Sequence, residues 1–185
     1  AVSDTGYLYT GEAGSSDVRR RKFSKTSGNQ IFDSNWPLYY GAYDIVFDGN
    51  DTFFHATSDS VNGELKRIAA TGSVLWEADV GSNISLAYSP NTNVVYVGGG
   101  NGSLSKVSVA TNSYTIEWTV TLGSGIPWGN GSTTEHNIDG VASDPDGNCF
   151  VVAYTHVMKL DPSGNKVWAK VYNNGGINDI AVIQN

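Results

Sequence analysis

The sequence predicts an all-β chain made of repeated four-stranded units, and three observations lead there. Gly, Asn, Ser and Thr make up 73 of 185 residues, whereas Ala, Glu, Lys, Leu and Arg together make up only 37. The first group favours turns and the second loses least on entering a helix, which argues against a helical bundle. Apolar residues reach 39%, with 5 Trp, 10 Tyr and 6 Phe, enough to fill a core and to argue against wholesale disorder. Third, one pattern of strands returns four times along the chain.

The most regular element is a hairpin. A basic and an apolar residue precede a short turn, after which an apolar residue leads into an aromatic. The four copies run from Lys22-Phe23 to Ile31-Phe32, from Arg67-Ile68 to Leu75-Trp76, from Lys106-Val107 to Ile116-Glu117-Trp118, and from Lys159-Leu160 to Val167-Trp168. Gly28, Gly72 and Gly164 stand where such turns need positive φ, and Asn112 is expected to substitute for glycine in the third. Ahead of each hairpin lies another strand, at Gly6-Tyr7-Leu8-Tyr9, Phe53-Phe54-His55-Ala56, Val94-Val95-Tyr96-Val97 and Phe150-Val151-Val152-Ala153. A further strand recurs at 43–47, 84–88, 138–142 and 177–182, and the first three of these lead on through the turns DGNDT, SPNTN and SDPDGN. Four strands per unit, at a period of roughly 46 residues, is the pattern of a β-propeller blade.

The expected architecture is therefore a β-propeller of four four-stranded antiparallel blades in one domain, 1–185. The repeats fall near 43–83, 84–137 and 138–176, with a first repeat at 1–42 completed by 177–185. The first unit lacks its leading strand, and Ile180-Ala181-Val182 is a leading strand with nothing after it. Pairing of the N- and C-terminal strands would close the ring and remove two exposed edges. The alternative is half of an eight-bladed ring, completed by a dimer.

Charge and composition exclude several functions. A formal net charge of −7 repels phosphate backbones and anionic lipid, which argues against nucleic-acid binding and membrane insertion. The run Arg19-Arg20-Arg21-Lys22 opposes the trend and reads as a solvated strand face. Cys149 is alone, so packing rather than an internal disulfide must stabilise the chain. The chain starts at Ala1 and its single Met is Met158, which suggests that a leader, initiator or larger precursor has been removed.

The stretch from Gly140 to Tyr172, GVASDPDGNCFVVAY followed by VMKLDPSGNKVWAKVY, resembles the bacterial β-propeller repeat, and AATGSVLW (Ala69 to Trp76) resembles the repeat of quinoprotein dehydrogenase-type propellers. That resemblance implies that Phe32, Trp76, Trp118 and Trp168 pack between adjacent blades. It also implies membership of a group that includes scaffold propellers and phage tail or virion proteins, so a virion or a bacterial secreted or cell-surface setting is the expectation. The enzymes of that group bind a quinone with calcium across a full ring. The single Cys149 and half the usual number of repeats argue against that chemistry, and the expectation is no enzyme, no cofactor and no metal.

Individual residues agree. His55, His136 and His156 do not share a register, which opposes a three-histidine zinc site. Asp144, Asp146 and Asn148 alternate like the start of a calcium loop, but Gly147 precedes the third ligand and no closing Glu follows, so an Asx turn is expected. Neither a nucleophile elbow nor a phosphate-cradling loop is present. Two long connections remain, at 33–42 and 123–137, and each carries Pro and Trp. Trp36, Tyr39, Tyr40, Trp128 and His136 on these connections are the candidate binding residues, for a protein partner, for self-association or for a glycan. The other possibility is that these rings fold back onto the blades.

Overall fold

A computed structural model describes residues 7–13, 18–24, 26–36, 42–48, 52–58, 63–71, 73–81, 83–173 and 175–183, of which 7–13, 18–22, 32–36, 42, 57–58 and 83–84 are described by their backbone alone. The chain divides into two compact units, Ala1–Ser82 and Asn83–Asn185. The first holds a three-stranded sheet, β1 (Tyr7–Ala13), β2 (Val18–Ser24) and β3 (Gln30–Trp36), and a four-stranded sheet, β4 (Ala42–Phe47), β5 (Phe53–Ser58), β6 (Gly63–Ile68) and β7 (Val74–Asp79). The second holds two four-stranded sheets. One is β8 (Asn83–Ser89), β9 (Val94–Gly99), β10 (Ser103–Val109) and β11 (Tyr114–Thr121); the other is β12 (Gly140–Ser143), β13 (Cys149–Ala153), β14 (His156–Leu160) and β15 (Lys166–Val171). In every sheet the strands pair antiparallel in chain order, the meander that defines a propeller blade.

The repeated hairpin has a repeated defect. The ladder slips between Lys22 and Phe23, Arg67 and Ile68, Lys106 and Val107, and Lys159 and Leu160, always at the same place in the unit. The unpaired residues are Ile31, Leu75, Glu117 and Val167, each just before the aromatic. Strand side chains alternate between faces, so two adjacent hydrophobic residues cannot both face a core. The bulge resolves this by adding one residue, which leaves Ile31 and Val167 more than half exposed and re-aims the aromatic that follows.

Beyond the bulge, the register places three residues opposite one another across each sheet: Tyr9, Lys22 and Phe32; Phe54, Arg67 and Trp76; Tyr96, Lys106 and Trp118; Phe150, Lys159 and Trp168. Where side chains are described, the outer rings approach each other across the cation, with centroids 5.9 Å apart for Phe54 and Trp76, 6.0 Å for Tyr96 and Trp118, and 6.3 Å for Phe150 and Trp168.

Strand β9 is buried along its whole length, which is why it reads as continuous Val and Tyr rather than as an alternation. With Leu104, Leu122, Trp128, Ile138, Val151, Met158 and Leu160 it forms the core of the second unit. Cys149 is buried there as a free thiol. In the first unit Phe53 and Ile68 pack with Ile45 and Phe47.

Three expectations change. Positive φ falls on Asn93 and Asn101 and not on Asn112, because the third hairpin closes more tightly, Ala110 N donating to Ser113 O at 2.9 Å. Gly28 and Gly164 do take positive φ, and Gly72 lies outside the described residues. The strand expected at 177–182 does not form among the described residues. Ile177 N donates to Tyr154 O at 2.6 Å, and the Asp179 backbone passes so close to β12 that a Cβ on Gly140 would sit 3.0 Å from the Asp179 Cα. This segment packs closely against β12, and no strand is present at 177–182 among the described residues to pair with the N-terminal strand, so ring closure is not shown.

Candidate functional site

Two arrangements in the second unit place side chains in ways the fold alone does not require. The first is the joint between its two sheets. Trp118 on β11 lies over the turn between β14 and β15, where a Cβ on Gly164 would stand 3.2 Å from the indole. The Pro162 carbonyl accepts from Trp118 Nε1 at 3.2 Å and from Lys106 Nζ at 2.9 Å. Lys106 also pairs with Glu117 at 2.7 Å, and bonds from Lys106 and Ser108 hold the Glu117 carboxyl below its usual range. Nearer the core, Tyr96 donates its hydroxyl to Gly147 O, and burial pushes its phenol well above the ordinary value. Between the inner strands, Val141 N donates to Ser85 Oγ at 3.1 Å and Ser143 Oγ to Tyr88 O at 3.3 Å.

The turns that dock here are near copies, Asp144-Pro-Asp-Gly-Asn148 and Asp161-Pro-Ser-Gly-Asn165. In each the Asp carboxylate accepts from the backbone N–H groups two and four residues on and from the Asn side chain. Burial works against Asp144, yet the Asn148 bonds outweigh it and the carboxyl titrates below its usual range; bonds from Asn165 do the same for Asp161. The calcium-like spacing of Asp144, Asp146 and Asn148 is thus an Asx turn, as expected.

The second arrangement is a stack of four rings. Trp128, on the long connection, is 1% exposed and donates Nε1 to Thr134 O at 2.9 Å. His156, at the start of β14, lies on it with centroids 4.9 Å apart; His136 stacks on His156 at 5.2 Å, and Tyr154 on His136 at 5.7 Å. The stack runs from a fully buried indole to a phenol that is 59% exposed. Among the described residues, neither ring nitrogen of buried His156 meets a partner in good hydrogen-bond geometry, its one backbone contact being a weak one with Ala153. Burial, with the neighbouring His136, pushes its imidazole below the ordinary value, and the Ala153 carbonyl offsets only part of this. Tyr154 sits at φ 54°, a region that a bulky side chain rarely adopts, at the tip of the β13–β14 hairpin.

Of the residues singled out in the sequence, Trp128 folds back into the core, while His136 is half-buried and supports the exposed Tyr154. Lys166 Nζ bonds Pro127 O at 2.7 Å, tying the long connection to β15. Tyr39 and Tyr40 lie outside the described residues, and Trp36 ends β3. Trp118 fills a joint between blades; Trp76 is 8% exposed and Trp168 37%; Phe32 lies opposite Lys22 on β3. His136 and His156 do come together although their positions in the repeat differ, because the connection curls back to the hairpin. Tyr154 was missed; the only signal for it was a large ring in a two-residue turn between short strands. Among the described residues, no three His, Cys, Asp or Glu gather as a metal site would require.

With this geometry in hand, comparison with solved structures finds similarity to a chain in "Crystal Structure of Mitotic Checkpoint Complex", with a TM-score of 0.70, 15% identity, and coverage of 95% of this chain and 51% of that chain. The present chain therefore spans about half the length of the one it matches. No protein-family model and no curated protein matches it. At this identity the likeness is one of fold, and the neighbour is of the propeller type. Together with the four meandering antiparallel sheets, this makes the chain an all-β protein of the β-propeller class.

Proposed function

We propose that residues 1–185 form one non-enzymatic propeller domain that serves as a protein-interaction module. The observation that carries this is the Tyr154 tip: an exposed aromatic on a strained hairpin, backed by His136, His156 and buried Trp128. A ring held on a rigid footing offers contact area at little entropic cost, which is how aromatic anchors act in protein interfaces. The neighbour's title, which names a complex, supports an interaction role. A virion or tail component, or a bacterial scaffold, is the setting that suits such a module, and the repeats resembling quinoprotein propellers are read as shared architecture. Trp36, Tyr39 and Tyr40 form a second candidate surface on the first long connection.

The test is affinity purification from the source material with wild type and Tyr154→Ala in parallel, alongside a glycan array. A defined protein retained by wild type and reduced at least ~10-fold by Tyr154→Ala is expected, on the scale of an interface anchor. Array binding that disappears with Tyr154→Ala would replace this reading with a carbohydrate-binding one, since an exposed ring also stacks on sugars. Retention of the same protein by both forms would remove the Tyr154 tip from the interface.

A further inference from the structure

The outer hairpin of the third sheet departs from its three copies. In the others the ladder stops at the first pair past the bulge, which is Phe23 with Gln30, Ile68 with Val74, and Leu160 with Lys166. In the third it runs on through Ser108 opposite Thr115 and Val109 opposite Tyr114. Only then does Ala110 N donate to Ser113 O to close the turn. A blade does not require this extension, since the other three sheets are built without it.

The extension walls a dish of about 180 Å³ at the end of the sheet. Ser108, Ser113, Tyr114 and Thr115 line it from the hairpin, and Thr92 and Asn93 from the turn between β8 and β9. Val109 N donates to Asn93 O at 2.9 Å and ties the two walls together. Asn93 takes φ 51°, which asparagine tolerates. Its Oδ1 accepts from the Tyr88 hydroxyl at 3.0 Å, while its Nδ2 meets no acceptor among the described residues. The Ser108 hydroxyl donates to Glu117 and keeps its lone pairs for a further donor. The hydroxyls of Ser113 and Thr115 bond no other described residue, and Tyr114 is 38% exposed. No residue that lines the dish carries a charge.

These parts select a ligand by chemistry. An anion would meet no cation here, and an apolar molecule would leave the rim hydroxyls unpaired. An extended peptide is held by a run of free main-chain groups along a sheet edge, whereas this dish ends at the hairpin turn. The volume falls short of the ~300 Å³ at which pockets for drug-sized ligands begin, so the occupant is a single small ring. We propose that the dish binds one neutral sugar residue, with its hydroxyls bonded to Asn93, Ser113 and Thr115 and a C–H face laid on Tyr114. The dish lies where β8 turns into β9, at the opposite end of the strands from the Tyr154 hairpin. The two sites are therefore separate, and each proposal stands or falls without the other.

Amide NMR spectra of the whole chain, titrated with D-glucose, D-galactose, D-mannose and N-acetyl-D-glucosamine up to about 50 mM, test this, since so few contacts bind in the millimolar range. At least one of these sugars is expected to shift the amides of 92–93 and 108–115 together and to saturate. Thr115→Val, which keeps the side chain's shape and removes its hydroxyl, is expected to weaken that sugar ~5-fold, the share of one hydrogen bond. Tyr114→Ala is expected to weaken it at least ~10-fold, as loss of an aromatic anchor does. An otherwise unchanged spectrum establishes that each variant folds, and Thr115→Val carries the test if Tyr114→Ala disturbs the hairpin. The proposal is overturned if none of the sugars shifts these amides, if the shifts gather at Tyr154 instead, or if Thr115→Val binds as wild type does. Shifts of the same amides by a neutral peptide of Gly, Ser and Thr, with none by the sugars, would overturn it in favour of a peptide site.

Discussion

Gly98, on fully buried β9, shows how tightly the second unit is set. A Cβ there would stand 2.4 Å from Ile138 Cγ2 and 2.7 Å from Val141 Cγ2, so glycine is required by close approach and not by dihedral freedom. The backbone cannot yield easily, because Ile138 N is bonded to Gly99 O at 3.0 Å. Gly98→Ala is therefore expected to cost about 1–3 kcal/mol, the usual penalty of overpacking. Ile138→Ala, which removes the obstructing Cγ2, should make the alanine at 98 less costly than it is alone. Denaturant unfolding of the two single variants and the double variant measures this coupling; strictly additive costs would show that the two side chains do not meet. In the sequence, Gly98 opens the run Gly98-Gly99-Gly100-Asn101-Gly102, whose composition is that of a turn. Its packing role depends on Ile138, some forty positions away, and no local pattern reports that.

Among the elements, the outer hairpin carries the blade's joint, and Trp118 is the place to test it. Trp118→Phe keeps the ring on Gly164 but removes the bond to Pro162 O, for an expected loss of about 1 kcal/mol. Trp118→Ala removes the ring as well, and the expected cost rises to about 2–4 kcal/mol, toward the range for truncating a packed aromatic. Equal losses for Phe and Ala would mean that the indole hydrogen bond alone matters; no loss for either would mean that the turn docks without the ring. The hairpins, their basic residue and their closing aromatic were all legible, since each recurs four times at a near-constant spacing. The bulge was not. A pair such as Leu75-Trp76 looks the same whether it continues the ladder or interrupts it, and only the partner strand's register distinguishes the cases. The strand expected at 177–182 was likewise not decided by its own residues: an apolar alternation makes a strand possible, but a ladder forms only with a second backbone paired to it.

For the molecule as a whole, pH dependence is the sharpest global consequence of the ring stack, which the sequence concealed because His136 and His156 meet only through the curl of a long connection. Two sets of groups titrate differently on unfolding. Glu117, Asp144 and Asp161 have carboxyls held low in the folded state, so the stability they contribute is present above the ordinary carboxylate range and is lost as pH falls through their depressed values. His156 is also depressed, but as a base: the unfolded chain binds its proton more readily than the buried ring does. Its contribution is full above the ordinary imidazole value of about 6.5 and declines as pH falls below that, down to the folded-state value. Of these four groups only His156 titrates between neutral pH and the carboxylate range, and its protonation places a charge against Trp128 and His136. The melting temperature of wild type should accordingly fall as pH is lowered from about 7 to about 5.5, the window in which histidine titrates. His156→Phe, which keeps a ring on Trp128 and has nothing to protonate, should flatten that window and leave the acid limb below about pH 4 unchanged, since the carboxylates are untouched. Thermal unfolding of both proteins across this range decides the matter: a slope that persists in His156→Phe assigns the neutral-pH titration to a group other than His156.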